Sequence, residues 1–422
     1  MNNGDVVNDI KAMLDGAEPP VTNECCIYRV PFNIHKLNQD AYTPKVVSIG
    51  PFHHNHHPRF QNMERHKLLY CKAFLQRTQT TLDTWIRYIE EVEPNFRRCY
   101  SDTLEFTREE LVKLIFVDSG FILELFWRFY YEDWSEDDKL LLKPWLSTSI
   151  RLDLLLLENQ LPFFVLDNLF YMSVRYNRSS NGTNNIPSLL ELTFEYFGYY
   201  NKSNLDIHNI SIRHFTDLIR TFHLQHPPQR RPSRTNEQLI HLLSVTELLE
   251  AGVRFKVNTE SGCLLDLRFS GRDLEIPQLK VEDWTEILFR NMVALEQCHY
   301  TDEAYITDYV AVWDFLVNTS RDVDILVRNR VLVNWLGGTD SVANLFNGLW
   351  KNITHSNFSS DYFHLCEDLN GFCRDPWRKL KATLRRDYCN SPWQTAASIA
   401  GIVLLVLSLV QSVCSVLQVI QQ

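Results

Sequence analysis

The sequence predicts a mainly α-helical protein: a large helical body carrying a small antiparallel β-sheet, followed by one C-terminal transmembrane helix. Three observations lead there. Apolar residues recur at helical spacing along most of the chain. The period switches to two between residues 253 and 281. From Asn390 to the C-terminus no charged residue occurs. The 422 residues are 45% hydrophobic, 22% charged and 12% aromatic, a composition that excludes a disordered, collagen-like or small disulfide-stapled chain. The formal net charge of -10 argues against a nucleic-acid partner, because phosphate neutralisation needs concentrated basic surface.

The elements follow in order. Residues 1–22 form a leader with acidic residues and no continuous apolar stretch, so no secretory signal. Residues 23–390 read as a single large domain. Cys26 to Tyr42 is extended with a short helix, and KVVSIGPF leads through a loop into HHNHHPRF. Met63 to Arg77 opens the main helical region. Thr107 to Arg128 continues it, with Thr107 and Glu110 spaced as a capping box. Ile150 to Phe170 is apolar almost all round, which predicts a segment through the middle of the core, and its charges argue against a membrane span. RYNRSSNGTNNIP (175–187) is a polar loop and HPPQRRPSR (226–234) a Pro/Arg linker.

Asn236 to Ala251 predicts an amphipathic helix stopped at Gly252. Alternation at Val253, Phe255 and Val257, then at Leu265, Leu267 and Phe269, predicts two strands. A third over Leu274 to Val281 is pushed toward an edge by Pro277, giving a small β-meander at 253–281. Asp283 with Glu286 starts a helix over Trp284 to Tyr300, and helical patterns cover 302–318, 321–335, 340–353 and 359–389. No repeat appears at solenoid periods.

The segment Ala396 to Ile420 carries the strongest single signal. As a helix it reaches roughly 37 Å at 1.5 Å per residue, enough for a hydrocarbon core of about 30 Å. In lipid all backbone polar groups must pair within the segment, which a helix achieves. Upstream stand Arg374, Arg378, Lys379, Lys381, Arg385 and Arg386, opposed by Asp375 and Asp387. Basic flanks favour the cytoplasmic side, so the expected topology is a tail-anchored protein with its bulk in the cytosol. The same run can also bind anionic lipid headgroups. Seven N-x-S/T sequons, at Asn177, Asn181, Asn201, Asn209, Asn318, Asn352 and Asn357, keep a luminal or extracellular body as the alternative. Ala397, Gly401, Leu404, Ser408, Gln411, Ser415 and Gln418 fall on one stripe of the span. All but Leu404 are small or polar, which permits close approach of an identical or partner helix.

Signals for catalysis or metal binding are weak. His53, His54, His56 and His57, with His66 beyond, form the densest histidine cluster, yet neighbouring imidazoles on an irregular loop rarely converge on one ion. MERHK is not H-E-x-x-H, and no pair of C-x-x-C motifs exists, so no metal or other cofactor is expected and the ten cysteines read as free thiols. Glu124, Asp153, Glu158 and Asp167 sit in apolar stretches. They offer either an acid–base pair or, more simply, carboxylates satisfied by Arg128, Arg151 or backbone donors. G-x-S-x-G, Walker A and G-x-G-x-x-G patterns are absent.

IYRVPFNIHKLNQDAYTPKVVSIGPFHH, MERHKLLY, FILELFWR, LLLENQLPFFVLDNLF, VTELLEAGVRFKV, EIPQLKVEDWTEILFRNMVALEQCHY and NRVLVNWLGGTDSVANLFN run in order from about residue 25 to 350. In this order the chain resembles the plant family known as domain of unknown function 247. It departs from that family's usual V/I-x-R-V-P-x-x-L opening at ECCIYRVPFNI. The resemblance implies a single-pass plant membrane protein without agreed catalytic residues. Some grass members look like determinants of pollen self-incompatibility, a role that family membership alone does not transfer. The expected function is a membrane-tethered, non-catalytic recognition or signalling protein. Its expected partners are membrane lipid and a second copy or another protein, with no small-molecule substrate identified. The rivals are a hydrolase-type enzyme built on the core carboxylates or the histidine loop, and an extracellular recognition ectodomain.

Overall fold

The computed structural model describes residues 22–374, apart from 55–59, 136–137, 139–141, 182–185, 209 and 238–240, together with 392–420 and positions 6–8, 10, 11 and 14. The helical half begins with α1 (Gln61–Thr78), α2 (Leu82–Arg98) and α3 (Arg108–Tyr131). α3 starts at the expected box: Thr107 Oγ1 accepts from the Glu110 N–H while the Thr107 N–H donates to the Glu110 carboxylate at 2.9 Å. Its interior is buried on nearly every face, and it packs along α1 so closely that Gly120 faces Cys71. α2 has no counterpart among the sequence expectations, and Pro94 lies inside it.

The stretch Ile150 to Phe170 is not one helix. α4 (Pro144–Asp153) stops, residues 154–162 cross the core irregularly, and α5 (Phe163–Asn181) restarts after Pro162. An irregular buried segment needs partners for its backbone groups. Two side-chain amides supply them. Asn159 Nδ2 donates to the Val47 and Asp153 carbonyls while its Oδ1 accepts from the Ile49 N–H at 2.7 Å. Gln160 Nε2 donates to the Leu154 and Leu156 carbonyls, and its Oε1 accepts from the Phe215 N–H at 2.9 Å. Gly50, at φ +71°, passes over this segment; a Cβ there would lie 2.4 Å from the Gln160 carbonyl oxygen, so only glycine fits.

α6 (Leu189–Phe197) and α7 (Phe215–His223) close the first half, and α5 extends well into the stretch read as a polar loop. The Pro/Arg stretch is largely exposed at 227–230, and its last residue begins β1 (Arg234–Thr235), where Arg234 pairs with buried Asp308. The helix expected from Asn236 shrinks to α8 (Val245–Glu250), which starts at a Ser244–Glu247 capping box; Gly252 does follow it at φ +101°.

The expected antiparallel meander is corrected. β2 (Arg254–Val257), β3 (Arg268–Ser270) and β4 (Asp273–Ile276) form a mixed sheet in the order β2-β4-β3. β3 and β4 are an antiparallel hairpin turning at Gly271, but β4 inserts beside β2 in parallel. Pro277, which has no N–H to extend a ladder, separates β4 from β5 (Leu279–Val281). β5 leaves for a second, parallel sheet with β6 (Leu332–Asn334).

α9 (Thr285–Cys298), α10 (Tyr305–Leu316), α11 (Ser320–Arg328) and α12 (Thr339–Leu349) make the second helical layer. The 321–335 pattern therefore splits into a helix and a strand, the chain reversing at Arg330 with φ +60°. β7 (Phe358–Ser359) pairs antiparallel with β1, and α13 (Ser360–Arg374) follows. One apolar core runs continuously from the α1–α3 layer into α13.

α14 (Pro392–Ile420) is a single helix of 29 residues. Among the described residues, however, no helix is long and apolar enough to cross a membrane. The side chains of 392–395, 398 and 415–420 lie outside that set, and the unbroken run 399–414 falls short of the about 17–25 residues a span requires. The transmembrane assignment of Ala396–Ile420 thus stands on the sequence and not on the structure. Arg374 is exposed, while Arg378, Lys379, Lys381, Arg385 and Arg386 lie outside the described residues, as do Ser415 and Gln418 of the stripe with respect to side chains.

Candidate functional site

The buried carboxylates are all engaged. Asp153 accepts three backbone N–H groups, from Lys45, Val46 and Val47, at 2.8, 2.7 and 2.8 Å. Burial nevertheless pushes its pKa up to about 6. Glu158, which is 3% exposed, accepts from the Val30 N–H at 2.8 Å and from Arg29 at 3.1 Å, with His53 Nε2 3.5 Å away. Glu124 pairs with Arg128 and Arg77. Asp167 is exposed on α5, contrary to its apolar sequence setting. Arg151, an expected partner, lies over the Phe129 and Tyr196 rings instead. Glu158 and Asp153 therefore tie residues 29–53 to the crossing segment; they do not face one another as an acid and a base.

The histidines do not converge either. His53 is buried beside Glu158, His54 packs near the Phe106 ring, and His66 is half-buried on α1, while His56 and His57 lie outside the described residues. Among the described residues no group of three His, Cys, Asp or Glu side chains has the arrangement to hold a metal ion. Cys25, Cys26, Cys71, Cys99, Cys263, Cys298, Cys366, Cys373 and Cys414 are unpaired thiols.

Two recesses that sequence reasoning did not anticipate open beside α7, one against the 224–231 stretch and the other against α9 and β2, sharing Ser261 and Gly262 at their border. The larger is an open cleft of about 770 Å³. Several of its charges are matched. Arg220 binds Glu296 at 2.9 Å and lies 3.8 Å from the centre of the Tyr300 ring. Tyr300 donates to Asp217 at 2.7 Å and accepts from Arg213 at 2.8 Å. Arg231 reaches Glu303 at 3.4 Å. The smaller recess, about 380 Å³, is walled by Tyr199, Tyr200, Trp284, Leu288, Phe289 and Met292. Trp284 stands edge-on to both tyrosines, with centroids 5.6 and 5.3 Å apart, so the wall is a rigid aromatic corner. Much of that wall comes from EIPQLKVEDWTEILFRNM. The visible signal was a cluster of large apolar residues beside a strand-breaking proline; only the fold brings the Tyr199–Tyr200 pair against it.

The body is mainly helical with three small sheets, crossed by a Glu-Asn-Gln segment and followed by an uncharged terminal helix. The chain belongs to the plant family DUF247, described as a plant protein of unknown function, whose model matches residues 27–407. It is 28% identical to the UPF0481 protein At3g47200 of Arabidopsis thaliana over 93% of this chain and 86% of that relative. To the putative UPF0481 protein At3g02645 of the same plant it is 23% identical, over 90% of this chain and 88% of that protein. No solved structure matches.

Proposed function

We propose that the protein is a non-catalytic recognition protein moored to a membrane by α14, with its folded body held at the cytosolic face. One observation carries the reading: every described side chain of α14 is exposed, including Ile399, Ile402, Leu404, Leu405 and Leu409 at 58–67% of their full surface. A helix whose exposed residues are this largely apolar is suited to lipid or to the centre of a large core, not to water. Leaving such residues in water instead of in an apolar phase costs about 1.5–3 kcal/mol for each large side chain. The basic run 374–386 supplies the cytosolic flank. Tethering confines the body to two dimensions and raises its effective concentration for a partner on the same surface. The non-catalytic part of the reading is supported by Glu124, Asp153 and Glu158, each committed to fold contacts.

Fractionation tests it. In a lysate prepared without detergent, the full chain is expected in the membrane pellet and to resist alkaline carbonate, while a chain ending before Ala396 moves to the supernatant. Full-length protein in the supernatant would overturn the mooring.

A further inference from the structure

We propose that the recess walled by Trp284 and Phe289 binds a small amphipathic organic acid, its flat apolar body against the aromatic corner and its anionic group at Lys202. The site extends beyond the mooring reading and does not depend on it. Volume comes first: about 380 Å³ lies in the range of small-molecule pockets, which are apolar with a few placed polar groups. The recess stays open because its walls are braced. Tyr199 donates to Glu282 at 3.0 Å, Lys280 pairs with the same carboxylate at 2.6 Å, and Lys280 also sits 3.8 Å from the Trp335 ring centre.

Charge chooses the ligand's sign. Ring faces alone would also accept a cation. Here Glu282 is already neutralised by Lys280, while exposed Lys202, 4.0 Å from the centre of the Tyr199 ring, has no carboxylate partner among the described residues. The lining is therefore left with one positive charge beside aromatic faces. An anion gains there and a cation is repelled. His223 adds a neutral acceptor. Its Nδ1–H donates to the Ile219 carbonyl at 2.8 Å, and burial lowers its pKa, so Nε2 keeps a lone pair for a ligand hydroxyl.

The test uses the full chain, in lipid nanodiscs and, where it does not insert, in detergent-free buffer, with 2-naphthoxyacetate as probe, its uncharged analogue 2-(2-naphthyloxy)ethanol as comparator, and empty nanodiscs or buffer alone as the blank; protein present in the sample is verified before binding is read. Saturable one-site binding is expected, tighter for the acid. Lys202→Ala should weaken the acid roughly three- to fivefold, as losing one exposed charge contact does, and change the alcohol less than twofold. Leu264→Trp, which fills the recess from its partly exposed side, should abolish binding of both. Lys202→Ala alters only a surface side chain, so it decides the charge assignment even where the filling variant folds poorly. Uptake no greater than by the blank, equal binding of acid and alcohol, or binding that survives Leu264→Trp in a chain with native circular dichroism would overturn the proposal.

Discussion

His214 is fully buried at the head of α7 and its two ring nitrogens have opposite duties. Nε2 lies 2.9 Å from the Cys26 carbonyl and must donate, while Nδ1 accepts from the Asp217 N–H at 3.3 Å. Only the neutral ring satisfies both, and burial holds its pKa down at about 4. A histidine depressed in the native state contributes stability that is complete above its unfolded pKa of about 6.5 and is lost as pH falls toward about 4. Asp153 works in the other direction. Its native pKa of about 6 exceeds the unfolded value near 4, so its protonation strengthens the fold as pH falls through the same interval. The two trends offset each other in the wild type, so the separation must come from variants. Denaturant unfolding of His214→Gln against wild type should show the wild type's advantage shrinking by about 3 kcal/mol between pH 7 and pH 4; a constant gap would contradict a neutral, capping histidine. For Asp153→Ala, three buried N–H donors lose their acceptor, and a loss of about 3–5 kcal/mol is expected at pH 7. Chemical denaturation reads it directly, and a change below about 1 kcal/mol would mean that water reaches those donors. At this scale the sequence correctly suggested that core carboxylates are satisfied, because burying a bare charge is prohibitive. It offered arginines or backbone donors, and Asp153 uses the backbone; residues 45–47 are remote in the chain, so nothing local singles them out as those donors.

Helix ends and chain breaks were legible wherever the signal is local. Thr107–Glu110 is a capping box and Gly252 a helix stop, as their spacing foretold. Pro277 does not make 274–281 one edge strand, as its position suggested: it ends β4, the central strand of its sheet, and the choice of a new partner strand, β6, is made some fifty residues away and leaves no local trace. The same applies to β4 inserting parallel to β2: alternation identifies strands and says nothing of their direction. Ile150–Phe170 misled because an apolar run is compatible with any buried conformation; its break is set by Asn159, Gln160 and Pro162. Two glycines on helices show how tertiary context decides cost. At Gly120 an added Cβ would lie 2.6 Å from Cys71 Sγ and 3.1 Å from its Cα, so α1 and α3 must separate. Gly120→Ala is expected to destabilise the body by about 1–3 kcal/mol despite alanine's better helix propensity, and a melting temperature equal to or above wild type would refute the close approach. At Gly401 nothing lies within 4 Å of the missing Cβ. Gly401→Leu should leave the body's unfolding untouched. If the Ala397–Gln418 stripe pairs with a second copy, it should also reduce cross-linking in bilayers, and unchanged cross-linking would leave α14 as an anchor alone.

At the scale of the whole molecule, the side on which the body lies can be argued from its own amides. A luminal body would carry glycans on some of its seven sequons, attached through the asparagine Nδ2. Several of these nitrogens are turned into the fold. Asn201 Nδ2 donates to the Leu205 carbonyl at 3.0 Å while its Oδ1 accepts from the Leu205 N–H at 2.8 Å, closing a loop beside the arginine cleft. Asn352 Nδ2 donates to the Asn33 carbonyl at 2.8 Å, joining the ends of the body across the chain. Asn357 accepts two bonds from Arg234, at 3.0 and 2.6 Å, within the network around buried Asp308. A branched sugar on Asn201 or Asn352 Nδ2 would crowd a contact that closes a loop or joins remote segments, at a cost of about 1 kcal/mol or more for a hydrogen bond broken; Asn357 is held through its Oδ1, so its contacts do not bear on the glycan-carrying nitrogen. A cytosolic body meets no glycosylation machinery and keeps both Nδ2 contacts. Endoglycosidase treatment of protein from plant membranes should therefore leave its mobility unchanged. Protease added outside sealed microsomes should digest the body and leave at most a short α14 fragment. A mobility shift together with protection of the body would place it on the luminal side, and the basic run 374–386 would then have to be explained by lipid headgroups and not by topology.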